Sequence, residues 1–533
     1  MPRLAAFAPY ILLCLYCALA TVPAGCTGQT APVRVPAQWA PDSTTVVRPA
    51  GPEYDRSAAW EFFWGKHYRD IWATPVTVPV LRLATALPGG LHPLQAGGSY
   101  QTRTLRLRAA NGKDFVLRSV DKDASVALPA GWKRKLLGGL MKDQTSVAQP
   151  YGAYVAAQLA EVAGVYHTNP RLVYVGDDPG LGTFRKAYAN DLYLLEERPD
   201  GNQTDVASFG HSPLVVNTGR MLADIHQRPS ARVEARAYLR ARLLDMWLGD
   251  WSRREDQWRW ASFEQAGQVS YRPIPRDRDQ AFFLFNDGAI TRVVSWFVPK
   301  YQSFQASLSA QAVNGLTLTA RELDRTLLAT LQSEDFREVA DSLRRRLTDA
   351  TIAQALTAGP PETRAAVAKR FAPMLRARRD QLPQVAQWYY QLLAKRALLV
   401  GTDKAERFVL SEPGPGLLRV KMFAQRPNQA DSLIMERTYN RRRTSSLAIY
   451  GLAGNDVFEL TGRLKSRIRV HLYEGAGQNQ LVLPAASAAI AGITWHSNSA
   501  DKFSQKRRGI TVRPNPDAAA TANTQSWMKR YRL

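Results

Sequence analysis

Cysteine is nearly missing from this chain. Three occur in 533 residues, at Cys14, Cys17 and Cys26, too few and too close to the N-terminus for a disulfide framework. Metal-ligand spacing is missing too. The seven histidines, at 67, 92, 167, 211, 226, 471 and 496, form no His-Glu-x-x-His pattern. There is no Gly-x-Ser-x-Gly elbow and no Walker A loop, so the common signatures of serine hydrolases and P-loop nucleotidases are excluded. Acid is scarce, with 46 Asp+Glu against 70 Lys+Arg and a net charge of +24. Beyond residue 22 no apolar run reaches the roughly 20 residues of a spanning helix.

What is present starts with the first residues. Arg3 precedes an apolar stretch from Leu4 to Val22, whose centre runs from Ile11 to Ala20. That is the layout of a secretory signal. Cleavage fits after Ala18-Leu19-Ala20, or between Gly25 and Cys26 in the lipoprotein manner. Pro23 stands where that second pattern usually has an aliphatic residue. The second cut leaves Cys26 as the sole cysteine of the mature chain, and a lone thiol is a liability in an oxidising compartment. The expectation is an exported protein of the periplasm or outer membrane, attached to the membrane by a lipid on Cys26. Residues 27–55, rich in Pro, Ala, Thr and Val, read as a flexible tether.

Arginine clusters recur at 344–346, 376–379, 441–443, 506–508 and 529–532. Basic clusters suggest nucleic acid in the cytoplasm. Export redirects the expectation to anionic lipid or envelope polysaccharide, with no nucleic acid. A simply solvated basic surface is the alternative. Thirteen Trp mark a packed globular chain.

Residues 56–400 read as one α+β domain. Strands are expected at 78–83, 102–108, 114–120, 171–175 and 191–198, with Gly97-Gly98 and Asn111-Gly112 as turns. Pro150 to Gly164 reads as an Ala-rich helix. Helices follow at about 213–227, 230–249, 320–358 and 361–398. Residues 401–515 hold short strands split by Gly, Pro and Asn, a separate all-β region. Residues 516–533 read as a basic disordered tail. No repeat architecture is evident beyond two glycine turns.

The stretch that carries chemistry runs from Leu244 to Gln257. A hairpin follows and delivers Asp277 and Asp279 about 20 residues later. Phosphoryl transfer by kinases uses this order: a base-bearing loop ending in a metal-binding amide, a hairpin, then a metal-binding carboxylate. Mg²⁺ takes one or two carboxylates plus phosphate oxygens, which Asp277 and Asp279 can supply.

The segment resembles the catalytic loop of atypical kinases of the HipA, CotH and phosphoinositide-kinase type, whose pattern is Gly-Asn-x-Asp-Arg-His-x-x-Asn. Gly249 matches the Gly, and Asp250 takes the first Asn. Ser252 falls on the catalytic Asp, Arg253 on Arg, Arg254 on His and Gln257 on the metal-binding Asn. Asp277-Arg278-Asp279 resembles the metal-anchoring Asp-x-Asp. The resemblance implies a two-lobed kinase-like domain with a helical C-lobe, and Mg²⁺ and ATP as cofactors. Within it, Gly97 and Gly98 would cover the phosphates, Arg118 or Lys122 would contact them, Glu161 would pair with that cation, and Glu196 would sit at the inter-lobe hinge. Ser252 is no substitute for a carboxylate at pH 7. Asp250 or Asp256 would have to compensate, so a pseudo-enzyme is expected over an active phosphotransferase.

Most of residues 60–480 also resembles a region found in Bacteroidota envelope proteins between a calcineurin-like phosphoesterase and a BamA-like surface-antigen barrel. The phrases that carry it are Gly97–Thr102, Leu117–Asp123, Leu194–Pro199, Gly249–Trp251, Glu255–Trp260, Pro273–Phe283 and Gly454–Phe458. It implies docking on an outer-membrane barrel or an anionic envelope surface.

Gly451 to Glu459 resembles one calcium-binding Gly-Gly-x-Gly-x-Asp turn with a Gly lost, and Glu474 to Leu481 echoes it. Such calcium sites need stacked neighbours. The favoured expectation is two glycine-bearing turns of one sheet.

Overall fold

The structure is a computed structural model of the chain and describes residues 44–97, 102–123, 125, 131–483, 490–499 and 509–531. Cys26 and the signal lie outside the described residues. Among those described, no helix is long and apolar enough to cross a membrane.

The first unit rests on a seven-stranded sheet. Its strands are β1 (Thr45–Arg48), β2 (Val76–Leu81), β3 (Leu91–Gly97), β4 (Thr104–Ala109), β5 (Asp114–Ser119), β6 (Arg171–Val175) and β7 (Asp191–Glu197), ordered β1-β2-β6-β7-β5-β4-β3. The expected alternation in β4 is real: Leu105, Leu107 and Ala109 are buried while Arg106 and Arg108 turn outward to Asp114. Gly112, at φ 80°, closes the β4–β5 hairpin. Strand β1 takes up part of the segment expected to be tether. Val46, buried, pairs with Val78, and apolar alternation over four residues suffices to seat an edge strand.

Between β5 and β6 runs the helix Gly152–Ala163. It buries Val155, Ala156, Leu159, Ala160 and Ala163 and ends on Gly164 at φ 69°. Two later helices start later than expected. Leu214–Asn217 is a strand, β8, and Asn217 then caps the helix Thr218–Gln227 by accepting from the Arg220 amide at 2.8 Å. Ala231–Val233 is β9, before the helix Ala235–Leu248. Strands β10 (Trp258–Gln265) and β11 (Gln268–Pro275) complete a second sheet ordered β8-β10-β11-β9. The helices Ser333–Arg346, Arg364–Asp380 and Leu382–Ala394 pack around Ala235–Leu248, and one apolar core joins them to Gly152–Ala163. The α+β class and the C-terminal β region stand as expected.

The β region begins earlier, at β12 (Arg396–Val400), because Ala397, Leu398 and Leu399 are buried beside β16. It continues with β13 (Glu406–Ser411), β14 (Leu417–Ala424), β15 (Ser432–Asn440), β16 (Ser446–Tyr450), β17 (Val457–Thr461), β18 (Arg469–Tyr473), β19 (Gln480–Val482), β20 (Ile493–Ser497) and β21 (Ile510–Pro514). The two sheets are ordered β12-β16-β18-β20-β21 and β15-β14-β13-β17-β19. From β16 to β20 the chain alternates between them, and its pairings are parallel. This is a short coiled stack, a repeat architecture the sequence did not disclose. Tyr450 pairs with Tyr473, and Tyr473 with His496, one coil of 23 residues at each step. The two glycine turns are therefore stacked corners of successive coils. Gly475 passes so close to its neighbour that a methyl there would sit 1.1 Å from the Leu452 carbonyl oxygen. Gly475→Ala is expected to destabilise this unit by about 1–3 kcal/mol through forced separation of the coils, read as a lower urea midpoint.

The tail over residues 516–531, expected to be disordered, is instead folded onto the rest of the chain. The helix Thr524–Met528 buries Trp527, which packs on Tyr450 at 4.8 Å, and the Tyr531 hydroxyl meets Thr326 Oγ1 at 2.8 Å. Its aromatic residues outweigh its basic ones in deciding its fate.

Candidate functional site

The β10–β11 hairpin sets the site. Its turn at Ala266-Gly267 takes φ of 49° and 74°, and its ladder runs from Gln265↔Gln268 back to Trp258↔Pro275. The residues flanking it must therefore meet. The Arg276 amide donates to the Gln257 carbonyl at 2.9 Å. Asp277 follows in a left-handed conformation, φ 56°, a costly backbone for a non-glycine residue.

Strand β5 approaches from the first sheet. Arg118 Nη1 lies 2.9 Å from Asp277 Oδ2, and Arg118 Nε lies 3.7 Å from Glu196 Oε2 on β7. Lys122, just past β5, is paired with Asp279. The Gln257 amide, oriented to satisfy both its ends, donates to Asp277 Oδ2 at 3.2 Å and accepts from Arg254 at 3.2 Å. Arg118, Lys122, Glu196, Asp277 and Asp279 thus line one small cavity with Thr102 and Gln149. Both amide atoms of Gln149 are buried without a hydrogen bond among the described residues, and so is Asp277 Oδ1.

Electrostatics separates the two aspartates. Burial works against ionisation of Asp277, but Arg118 and Lys122 outweigh it and hold its carboxyl below the usual range. Burial and then the Asp277 charge push Asp279 upward. Burial also raises Glu196, with Arg118 opposing. Asp277 is the ionised member and Asp279 the one readier to hold a proton.

Several candidates fall elsewhere. Glu161 does not reach Arg118 or Lys122. It sits on the outer side of its helix, 70% exposed, and bonds His167 Nε2 at 2.7 Å. Asp256 is 47% exposed and pairs with Arg254 at 3.0 Å, outside the cavity. Asp250 is fully buried, but Arg253 holds its Oδ2 and the Ser252 amide donates to its Oδ1 at 3.1 Å. Both oxygens of Asp250 are thus engaged within its own loop. Gly97 ends β3 opposite Thr104, which pairs with Arg118, and it is not among the residues that line the cavity. Gly98 lies outside the described residues.

Sequence reasoning missed what anchors the loop. Asp245 receives Arg242 at 3.1 Å, Arg253 at 3.2 Å and Arg278 at 3.1 Å, all buried. Arg253 also donates to the Arg276 carbonyl, next to Asp277. A buried Asp on an apolar helix was the available signal.

The cavity measures about 20 Å³, room for about one water. Its two cations face three carboxyls: Arg118 lies between Glu196 and Asp277, and Lys122 pairs with Asp279. Among the described residues no three His, Cys, Asp or Glu side chains are grouped to hold a metal. Two carboxylates, one with an unbonded buried oxygen, match what Mg²⁺ asks of protein when phosphate supplies the rest.

No family model matches the chain, and no curated protein does. Among solved structures, the chain is similar to one described as the proinflammatory kinase CtkA of Helicobacter pylori. The TM-score is 0.30 and the identity 11%, over 57% of this chain and 96% of that one.

Proposed function

We propose that this protein is a kinase-like, catalytically degenerate binder of a phosphate-bearing ligand, held at the cell envelope by a lipid on Cys26. The observation that carries the reading is the meeting of Arg118 and Lys122 with Asp277 and Asp279 at the end of the β10–β11 hairpin. Strand β5 supplies the cations, as the third strand of a meander does in kinases, and the residues after the hairpin supply the carboxylates. A phosphate arriving with Mg²⁺ or Mn²⁺ permits an exchange without net charge. Arg118 and Lys122 turn to phosphate oxygens, and Asp277 and Asp279 are released to the metal. The metal would neutralise phosphate charge. The chain itself binds and orients.

Transfer is not expected. Ser252 stands where a proton acceptor is needed, and Asp250 is engaged by Arg253. In a thermal-shift assay, ATP with Mg²⁺ or Mn²⁺ at about ten times Kd should raise the melting temperature by roughly 2 °C. Asp279→Ala should abolish the rise. No shift in the wild-type chain sinks the reading. Phosphate transfer that emerges only in Ser252→Asp identifies a decayed enzyme.

A second reading, a non-enzymatic partner of an outer-membrane barrel or anionic envelope surface, is favoured by the small size of the cavity, about 20 Å³, and the charge of +24. It predicts no nucleotide shift and salt-sensitive binding to envelope fractions.

A further inference from the structure

The coiled β unit has two edges of opposite chemistry. The corners at 401–406, 451–456 and 474–479 carry Glu406, Asp456 and Asn479. The opposite edge gathers the β13–β14 turn, the turn after β15 and the β17–β18 connection, and it is basic.

Between residues 463 and 468 burial alternates. Leu464, Ser466 and Ile468 point into the unit, while Arg463, Lys465 and Arg467 are exposed. Period-two alternation puts three cations on one side. Arg441 and Arg442, exposed after β15, face the same space. Two clusters 20 residues apart in sequence thus line one open groove of about 870 Å³. Among the described residues, none of these five side chains takes part in an ion pair. Among the described residues that line the groove the one acid is Glu412, whose carboxylate accepts the Lys465 backbone amide. On the neighbouring strand, by contrast, Arg407 is paired with Asp431 and Glu459. Five convergent cations against a single carboxylate keep a high positive potential in a concave surface, which concentrates anions.

We propose that this groove binds a ligand carrying several closely spaced oxyanions, such as a multiply phosphorylated saccharide headgroup. One phosphate would engage only one or two of the five cations, and several on a rigid ring match them together. The wall at Gly414-Pro415-Gly416 is short and lets a bulky ring approach. The same chemistry is found on a membrane lipid or on a free phosphorylated sugar. The groove is separate from the Arg118–Asp279 cavity, and the proposal does not depend on nucleotide binding there.

The test titrates the full chain with myo-inositol hexakisphosphate by calorimetry. It compares the triple variant Arg441→Gln/Arg463→Gln/Lys465→Gln with Arg171→Gln/Arg220→Gln/Arg232→Gln, which removes equal charge from exposed sites elsewhere. Saturable one-site binding is expected, weakened about 30-fold in the groove variant and less than about threefold in the control. Equal weakening in both variants, or none in either, overturns the proposal. Melting temperatures of the variants, expected within about 2 °C of wild type, establish that the groove variant is folded. Phosphatidylcholine vesicles with and without phosphatidylinositol bisphosphate, whose headgroup carries several phosphates, form the second arm. Groove-dependent co-sedimentation with the anionic vesicles assigns the ligand to a lipid, and soluble binding alone assigns it to a free sugar phosphate. Asp279→Ala should leave both readouts unchanged, which separates failure here from failure of the nucleotide reading.

Discussion

Replacing Asp245 by Ala is expected to destabilise the protein by about 3–5 kcal/mol, the loss typical when one partner of a buried ion pair is removed. Asp245 is completely buried near the end of the helix Ala235–Leu248. Three guanidinium groups converge on it. Two have other acids. Arg242 keeps Asp324, 2.9 Å from its Nε, and Arg253 keeps Asp250. Arg278 has no other ion pair among the described residues, and none of its nitrogens has a hydrogen bond there. Burial brings Arg278 down to about 10, with Asp245 opposing that fall. Without Asp245 its charge stays buried and uncompensated. Asp245→Asn keeps the volume and should lose less. Asp256→Ala breaks only the exposed pair with Arg254 and should cost about 0.5 kcal/mol or less. Urea unfolding followed by Trp fluorescence reads all three, and equal midpoints for Asp245→Ala and Asp256→Ala would refute the network. Because Arg253 also holds the Arg276 carbonyl, Asp245→Ala should also remove any nucleotide-dependent shift.

The contrast between Asp245 and Asp277 shows what the sequence discloses. Asp277 was legible because local chemistry places it. Ala266-Gly267 forces a hairpin, the ladder fixes its register, and Gln257 must then sit beside Arg276. Asp245 was not, because its neighbours come from positions 253 and 278 and their meeting is a tertiary fact. Glu161 failed for a related reason. Its helix is mostly Ala, Val and Leu, so the sequence offers no polar stripe to phase it, and packing turned Glu161 to His167. The helix starts at 218 and 235 were obscured by β-branched Val215, Val216 and Val233, whose strand preference is decided by β10 and β11. The coiled stack stayed hidden because the β14–β15 hairpin interrupts its period between the first coil and the second. Its corners also share little beyond glycine. At equivalent positions the chain has Gly401, Gly451 and Glu474, then Glu406, Asp456 and Asn479.

That last series leads to an expected gain. Asp456→Asn should stabilise the protein at pH 8 by at least about 2 kcal/mol and have no effect near pH 4. Each of these corner side chains bonds a backbone amide. Glu406 Oε2 accepts from Thr402 at 3.0 Å, Asp456 Oδ1 from Glu406 at 2.9 Å, and Asn479 Oδ1 from Asp456 at 2.9 Å. The difference lies in the second atom. Asn479 Nδ2 donates to the Gly475 carbonyl at 3.2 Å, whereas Asp456 Oδ2 is buried without a hydrogen bond among the described residues. Burial, reinforced by Glu406, pushes Asp456 up to about 9, and burial pushes Glu406 up to about 7 with the Thr402 bonds opposing. Both folded values lie above the unfolded carboxyl value of about 4. The folded state therefore binds more protons between those limits. Stability is complete below about pH 4 and declines as pH rises, until Glu406 ionises near 7 and Asp456 near 9. An amide at 456 keeps the bond from Glu406, cannot ionise, and offers Nδ2 to the Leu452 carbonyl, four residues back as Gly475 is from Asn479. Melting temperature against pH should flatten in the variant and cross the wild-type curve only at the acid end. A constant offset at every pH would mean that Asp456 is already ionised in the folded chain.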